Sequence, residues 1–173
     1  PRNPGAGFDL QQYYREPERY ESRFEEYLPH LTVVVNCIYW DARYPRLVTR
    51  DWVRRAWNSD QRPKLRVIGD ISCDIEGSIE VTVRSTEPGD PIYTYVPSDG
   101  RAAGGWEGDG PVIMAVDTLP SELPREASGS FGDMLVPYVP AIARADFSVS
   151  FEQLDIPAAV KRAIIVHRGE FTP

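Results

Sequence analysis

The segment Lys64–Cys73, KLRVIGDISC, predicts a β-strand that is buried on both faces of a parallel sheet. Two segments have the same continuous apolar character, Thr32–Ile38, TVVVNCI, upstream and Pro111–Asp117, PVIMAVD, downstream. Between the first two, Thr49 is placed to cap a helix over Trp52–Trp57. The alternation of strand, helix and strand predicts an α/β fold built on a parallel sheet.

The segments around these strands predict helices and loops. Residues 9–28 carry apolar residues at mixed three- and four-residue spacing, which predicts one amphipathic helix or two short ones. Short β-prone pieces at Val81–Arg84 and Ile92–Val96 lie in a loop-rich excursion and predict a hairpin. Further helices are expected over Ser121–Tyr138, with prolines that interrupt or end it, and over Pro157–Val166.

Composition and charge narrow the classes of function. The 173 residues are 42% hydrophobic and 26% charged, which is typical of a globular protein with one domain or two small lobes. Nineteen basic and 26 acidic residues give a net charge of −7. Such a surface repels phosphate backbones and anionic lipid, which argues against nucleic-acid and membrane partners.

The cysteines and histidines predict neither a disulfide framework nor a metal site. Cys37 and Cys73 lie inside apolar runs, so we expect two buried thiols and a reducing, cytoplasmic compartment. His30 and His167 are far apart and have no ligand at metal-binding spacing. The first residue is Pro1 rather than Met, which indicates a processed chain or a piece of a longer protein.

Polar residues follow each predicted strand. Asn36 ends the first strand, Asp70 and then Asp74 end the second, and Asp117 ends the third. In open parallel sheets, ligands bind beyond the carboxyl ends of the strands, so these side chains predict one site there. The alternative is that they only cap turns. A second hypothesis, that Asp70 and Asp74 form an acid–base pair or bind a divalent ion, has less support. No third oxygen ligand accompanies them.

Tryptophan positions separate a binding candidate from core residues. Trp40 lies beside Tyr39 at the end of the first strand and is a candidate for stacking against a flat ligand. Trp52 and Trp57 lie on the predicted helix and are expected in the core.

A series of short motifs occurs between about residues 9 and 168. They are Asp9–Tyr13, Pro17–Tyr20, Val35–Trp40, Pro45–Thr49, Gly69–Asp74, Gly77–Glu80, Asp117–Pro120 and Leu123–Ser128. In this order they resemble lysine-ketoglutarate reductase, the saccharopine-forming half of aminoadipic semialdehyde synthase. That enzyme is similar in fold to alanine dehydrogenase and to the transhydrogenase nucleotide domain.

The resemblance implies a partial Rossmann-type parallel sheet with flanking helices, followed by the closing helices of a second lobe. Residues 1–118 would be the carboxyl-terminal part of a nucleotide-binding domain and residues 119–173 the carboxyl-terminal part of a substrate domain. The Gly-rich phosphate loop and the segment that supplies a catalytic Lys and His in the family have no counterpart. The implied partner is therefore the missing amino-terminal half, and the chain alone is expected to be inactive. An exposed sheet edge also predicts association, for example as a homo-oligomer.

The same resemblance assigns roles to the strand-end residues. Asp74 and Asp117 match acidic residues beside the nicotinamide and are the catalytic candidates. The implied cofactor is NADPH or NADH, and no metal is expected. The candidates for cofactor binding are Asn36, Tyr39, Trp40, Asp70, Asp117 and Leu119.

The implied reaction belongs to lysine degradation. The amine of L-lysine condenses with 2-oxoglutarate, and hydride from the cofactor reduces the imine to saccharopine. Two alternatives stay open: a non-catalytic nucleotide-binding module, and a related saccharopine or alanine dehydrogenase-like oxidoreductase. The sequence does not decide between NADPH and NADH as the cofactor, because the residue that contacts the ribose 2′ position follows the absent Gly-rich loop. The expected compartment is the cytoplasm, or the mitochondrion in a eukaryote.

Overall fold

A five-stranded mixed sheet lies at the centre of the first part of the chain. Its strands are β1 Val33–Asn36, β2 Val67–Asp70, β3 Ile92–Tyr95, β4 Ala102–Gly104 and β5 Val112–Met114. Their spatial order is β1-β2-β5-β3-β4. Strands β1, β2 and β5 are parallel, whereas β3 is antiparallel to both β5 and β4. The predicted parallel sheet is therefore confirmed, with an antiparallel hairpin added at one edge.

The computed structural model describes residues 2, 5 and 7–172, which separate into two units. The first unit ends at Leu119 and the second begins at Pro120. The assignment of residues 1–118 and 119–173 to nucleotide and substrate domains stays a prediction. No helix of the described part is long and apolar enough to cross a membrane.

Helix α2 supplies the core that covers one face of the sheet. It spans Arg50–Trp57 and follows the short helix α1, Leu10–Arg15, in the chain. The Thr49 hydroxyl accepts a hydrogen bond from the Trp52 backbone N–H at 3.1 Å, as predicted for an N-cap. Trp52 and Trp57 are buried in one cluster with strand residues such as Ile68, which confirms their predicted place in the core.

The opposite face of β1 is open, which corrects the prediction of a strand buried on both sides. Val34 and Asn36 are buried, but Val33 and Val35 are 53% and 62% exposed. Strand β1 lies at the edge of the sheet, so it pairs with β2 on one side only. The apolar run predicted the strand correctly but could not show which of its faces other elements cover.

Other sequence predictions near the sheet are corrected in detail. Cys37 is exposed and Cys73 is partly buried, so the prediction of two buried thiols is wrong for Cys37. Val81–Arg84 is irregular rather than a strand, and only Val81 lies in a turn. The Tyr93 hydroxyl provides hydrogen-bond partners for two backbone groups of this segment. It accepts from the Val83 N–H at 2.9 Å and donates to the Val81 carbonyl at 3.0 Å.

The segment before β1 is broken into short pieces. Helix α1 is capped by Asp9, whose carboxylate accepts from the Gln12 N–H at 2.9 Å. Three 3-10 turns follow, at Pro17–Arg19, Phe24–Glu26 and Leu28–His30. Pro17 begins the first of these turns, and the second residue of the third turn is also a proline. Proline has no backbone N–H to donate, so it cannot continue a helix. One long helix or two short ones were predicted here, and the described segment instead has one short α-helix followed by 3-10 turns.

The described residues of the second unit form three α-helices and a small hairpin, after a 3-10 turn at Leu119–Glu122. The helices are α3 Pro124–Leu135, α4 Val139–Arg144 and α5 Ala158–Ala163. The predicted interruption near the prolines is confirmed by the break between α3 and α4. Strands β6 Val166–His167 and β7 Glu170–Phe171 pair antiparallel, although a helix was predicted as far as Val166. Arg168 and Gly169 join them with φ values of 54° and 88°.

A matched pair of substitutions tests the one-sided burial of the sheet. Ile68→Ala removes a fully buried side chain from the central strand β2, so it should lower the free energy of unfolding by about 2–5 kcal/mol. Val35→Ala removes an exposed side chain and should change it by about 0.5 kcal/mol or less. Urea unfolding of the purified chain measures both. Equal losses would show that the open face of β1 is buried in solution.

Candidate active site

A buried polar pair joins the carboxyl ends of β1 and β2. The register places Asn36 opposite Asp70, and the Asn36 amide Nδ2 donates to the Asp70 carboxylate at 2.8 Å. The same amide donates to the Ser78 hydroxyl at 2.8 Å, and the Thr82 hydroxyl donates to the second Asp70 oxygen at 2.6 Å. Asn36 and Asp70 are only 2% and 1% exposed. The pair thus ties both strand ends to the chain that follows them.

Burial gives Asp70 an unusual electrostatic environment. Desolvation raises the pKa of its carboxyl, and hydrogen bonds from Thr82 and Asn36 oppose that shift. Because the folded-state pKa is raised, the stability contributed by the protonated group is complete at low pH. It is lost as the pH rises through the folded-state pKa. The carboxylate is therefore costly at neutral pH, and its neutral hydrogen-bond donors partly offset that cost.

The strand-end pattern predicted that Asn36 and Asp70 are presented to a ligand. In the structure neither side chain faces solvent. Their polar atoms are used inside the protein. A direct contact with a ligand would require the residues that cover this pair to move, because the pair is almost fully buried. Their predicted role in cofactor binding stays a prediction.

Asp74 and Asp117 are the exposed carboxylates at the same edge. Both lie close enough to the Cys73 thiol to influence it. The pKa of Cys73 is raised to about 11, first by burial and then by the charges of Asp70, Asp117 and Asp74. The structure thus brings the three predicted acidic residues into one neighbourhood around Cys73, with Asp74 and Asp117 accessible.

Tyr39 and Trp40 follow β1 at the margin of this edge. Tyr39 is 86% exposed, whereas Trp40 is partly buried. The Trp40 indole N–H donates to the Tyr44 carbonyl at 3.0 Å, which fixes the ring. The guanidinium carbon of Arg46 lies 5.4 Å from the centre of that ring. Leu119, the remaining candidate, is partly buried at the end of the first unit.

Trp40 and Tyr39 also line a cleft that the sequence analysis missed. Its volume is about 780 Å³, a size typical of small-molecule sites. Most of its lining is aromatic: Phe8, Tyr13, Tyr14, Tyr20, Phe24, Tyr27, Tyr39, Trp40 and Tyr44. The aromatic spacing in residues 9–28 predicts an amphipathic helix and gives no sign of a cleft.

Three polar residues at the strand ends were also missed. Ser78 and Thr82 complete the buried pair, and Arg46 contacts the loop that carries Asp74. The Gly77–Glu80 motif contains Ser78, but its sequence alone does not indicate a contact with Asn36. Within the described residues, no group of three or more His, Cys, Asp or Glu side chains is placed to hold a metal ion.

The two cysteines should react with alkylating reagents at very different rates. With a pKa of about 11, only about one Cys73 thiol in a thousand is ionised at pH 8, whereas Cys37 is exposed. Mass spectrometry after iodoacetamide treatment should therefore show Cys37 modified at least about tenfold faster. The unfolded chain in urea provides the control, in which the rates converge. Equal rates in the folded chain would contradict the packing around Cys73.

Comparison with known proteins identifies the family. The family model described as alanine dehydrogenase/PNT, C-terminal domain, matches residues 11–173. The alpha-aminoadipic semialdehyde synthase of Arabidopsis thaliana is 38% identical over 99% of this chain, and the mitochondrial enzyme of that name from Bos taurus is 33% identical over 97%. The chain spans 16% and 20% of those two proteins. These matches confirm the resemblance seen in the sequence.

More distant similarities agree with these matches. A saccharopine dehydrogenase [NAD(+), L-lysine-forming] from Emericella nidulans is 29% identical over 75% of the chain and is matched over 32% of its own length. Among solved structures, an L-alanine dehydrogenase superposes with a TM-score of 0.58 at 19% identity, over 95% of this chain and 42% of that one. This likeness shows the fold. The chain belongs to the alanine dehydrogenase/PNT C-terminal domain family.

Proposed function

We propose that the chain is part of a lysine-ketoglutarate reductase, which reductively condenses L-lysine and 2-oxoglutarate to saccharopine in lysine degradation. The observation that carries this proposal is the pair of exposed carboxylates, Asp74 and Asp117, at the carboxyl edge of the parallel strands. Ligands of open α/β sheets bind at this edge. The similarity to two aminoadipic semialdehyde synthases over nearly the whole chain supports the choice of reaction.

The residues at this edge suit a nicotinamide cofactor, NADPH or NADH. Tyr39, Trp40 and Leu119 offer apolar surface for its rings, and Asp117 offers a carboxylate for its polar groups. Asn36 and Asp70 would support this surface from below through their hydrogen bond. When bound, the cofactor supplies the hydride. The protein's task is to orient the substrate and to exclude water from the imine.

The carboxylates have a physical role in that reaction. Condensation of an amine with a keto group passes through an iminium ion, which is positively charged. A fixed carboxylate beside it stabilises that charge. Asp74 and Asp117 are both exposed, and the charge of each acts on the Cys73 thiol, so they are our catalytic candidates. The proton transfers need a group that titrates near neutrality. We assign them to the amino-terminal half of the enzyme.

The open sheet face indicates where that half would bind. Parallel sheets are normally covered on both faces, yet Val33 and Val35 are exposed on the outer face of β1. The outer edge of β1 is also unpaired within the described sheet. We propose that the amino-terminal half of the enzyme covers this face and extends the sheet. Self-association of the chain through the same surface would be the result when that half is absent.

The relatives suggest a compartment. The Bos taurus relative is named as a mitochondrial protein. We propose the mitochondrion if the chain comes from a eukaryote, and the cytoplasm otherwise.

A cofactor titration tests the proposed site. Addition of NADPH or NADH to the chain assembled with its amino-terminal half should quench tryptophan fluorescence in a saturable way. Trp40→Phe should remove most of this quenching, because Trp40 lies at the strand-end margin. Trp106→Phe is the matched control, since Trp106 is exposed on the hairpin excursion and should leave the quenching intact. Saturable quenching that does not depend on Trp40 would contradict this site.

Product analysis of the same assembly separates the candidate functions. Formation of saccharopine from L-lysine and 2-oxoglutarate, with oxidation of the reduced cofactor, would support the reductase. Asp74→Asn should lower its kcat by about 100-fold, the usual cost of removing one group that stabilises developing charge. Cofactor binding without turnover of any amino acid would favour a non-catalytic module. Turnover of alanine instead would favour a related dehydrogenase.

A further inference from the structure

The segment between β2 and Ser78, which we call the Asp74 loop (residues 71–77), has a strained backbone. Cys73 and Glu76 have φ values of 54° and 53°. Residues other than glycine rarely adopt this left-handed region, and they keep it only where the surroundings enforce it. Asp74 lies between these two residues. Its carboxylate is therefore placed by a conformation that the loop would not hold alone.

Gly77 shows how tightly the loop turns. Its N–H donates to the Asp74 carbonyl at 2.9 Å. A Cβ atom at position 77 would lie 2.5 Å from the Asp74 Cβ and 2.9 Å from the Asp74 carbonyl oxygen. Only glycine fits this close approach. Any larger side chain at position 77 would therefore displace Asp74.

Arg46 holds the far side of the loop. Its Nε donates to the Gly77 carbonyl at 3.1 Å, and its Nη2 donates to the Glu76 carbonyl at 3.1 Å. The nearest carboxylate oxygen, on Glu80, is 4.0 Å away, so the closest contacts of the guanidinium are with the main chain. The same group lies over the Trp40 ring. Arg46 thus connects the segment after β1 to the Asp74 loop.

We propose that Arg46 is a positioning residue that keeps the Asp74 loop in its strained conformation through the Glu76 and Gly77 carbonyls. The planar guanidinium donates to both carbonyls from one rigid group, which the single ammonium of lysine cannot reproduce. The consequence for catalysis rests on the proposed function of Asp74. The effect on the loop does not depend on it.

Cys73 reports the state of the loop without any assay of activity. It lies beside Asp74, and its thiol is shielded by burial and by nearby carboxylates. Arg46→Lys should raise the rate of Cys73 alkylation about tenfold, because the loop then opens more often. Cys37 in the same molecule is the internal reference and should keep its rate. An unchanged Cys73 rate in Arg46→Lys overturns the proposal.

Arg43→Lys is the matched control. Arg43 lies in the same segment, pairs with Asp41 at 2.8 Å and lies 5.5 Å from the centre of the Tyr44 ring, but none of its contacts reaches the Asp74 loop. It should leave the Cys73 rate at the wild-type value. If Arg43→Lys raised the Cys73 rate as much as Arg46→Lys does, any loosening of this segment would be enough to expose Cys73. The hydrogen bonds from Arg46 to the loop would then not be the cause, and the proposal would be overturned.

Chemical rescue distinguishes positioning from a general loss of structure. Millimolar guanidinium ion should restore slow Cys73 alkylation in Arg46→Ala, since it can occupy the emptied site. Gly77→Ala should raise the rate without being rescued, because its added Cβ displaces Asp74 itself. Thermal unfolding of each variant confirms that it is folded. A folded Arg46→Ala whose Cys73 rate guanidinium does not lower would contradict the clamp.

A kinetic double-mutant cycle links the loop to the reaction. If Arg46 acts through Asp74, Arg46→Lys should lower kcat for saccharopine formation about tenfold in the wild type but hardly at all in Asp74→Asn. Additive effects would overturn the positioning role. If the assembled wild-type enzyme forms no saccharopine, the proposed function fails, and the Cys73 rates and their rescue still decide whether Arg46 holds the loop.

Discussion

The hydrogen bond from the Asn36 amide to the Asp70 carboxylate is the interaction on which the strand-end region depends. It joins the ends of β1 and β2 at 2.8 Å inside the protein. The donors to the Asp70 carboxylate are neutral groups, Asn36 and Thr82, rather than a cation. Because Asn36 also binds Ser78, the pair fixes where the chain returns after the Asp74 loop. The exposed residues at this edge are thus attached to a buried, hydrogen-bonded pair.

The fold was predictable where one local pattern settles the structure. Apolar, β-branched runs marked β1, β2 and β5, and Thr49 before an amphipathic segment marked the start of α2. The exposed face of β1 was not predictable, since Val33 and Val35 are as apolar as the buried Val34 and differ only in what covers them. The segment before β1 misled for a different reason: its aromatic spacing suits a helix, but its prolines favour short turns.

The site residues stay a prediction, but the structure shows which of the candidates are buried and which are exposed. Polar residues after three neighbouring strands indicated a common edge, and Asp74 and Asp117 are exposed where the chain leaves β2 and β5. Sequence position alone could not show that Asp70 points inward, because burial depends on the long-range partner Asn36. The contact of Arg46 with main-chain carbonyls was equally invisible, since carbonyls leave no mark in the pattern of side chains.

The central claim, that Asn36 and Asp70 act as one unit, is tested most directly by a double-mutant cycle on the free energy of unfolding. The variants are Asn36→Ala, Asp70→Ala and the double substitution, measured by urea unfolding at pH 7. Hydrogen bonds to a charged group contribute about 1.5–3 kcal/mol, so the coupling energy should lie in that range. A sum of single effects that equals the double effect within about 0.5 kcal/mol would contradict the account.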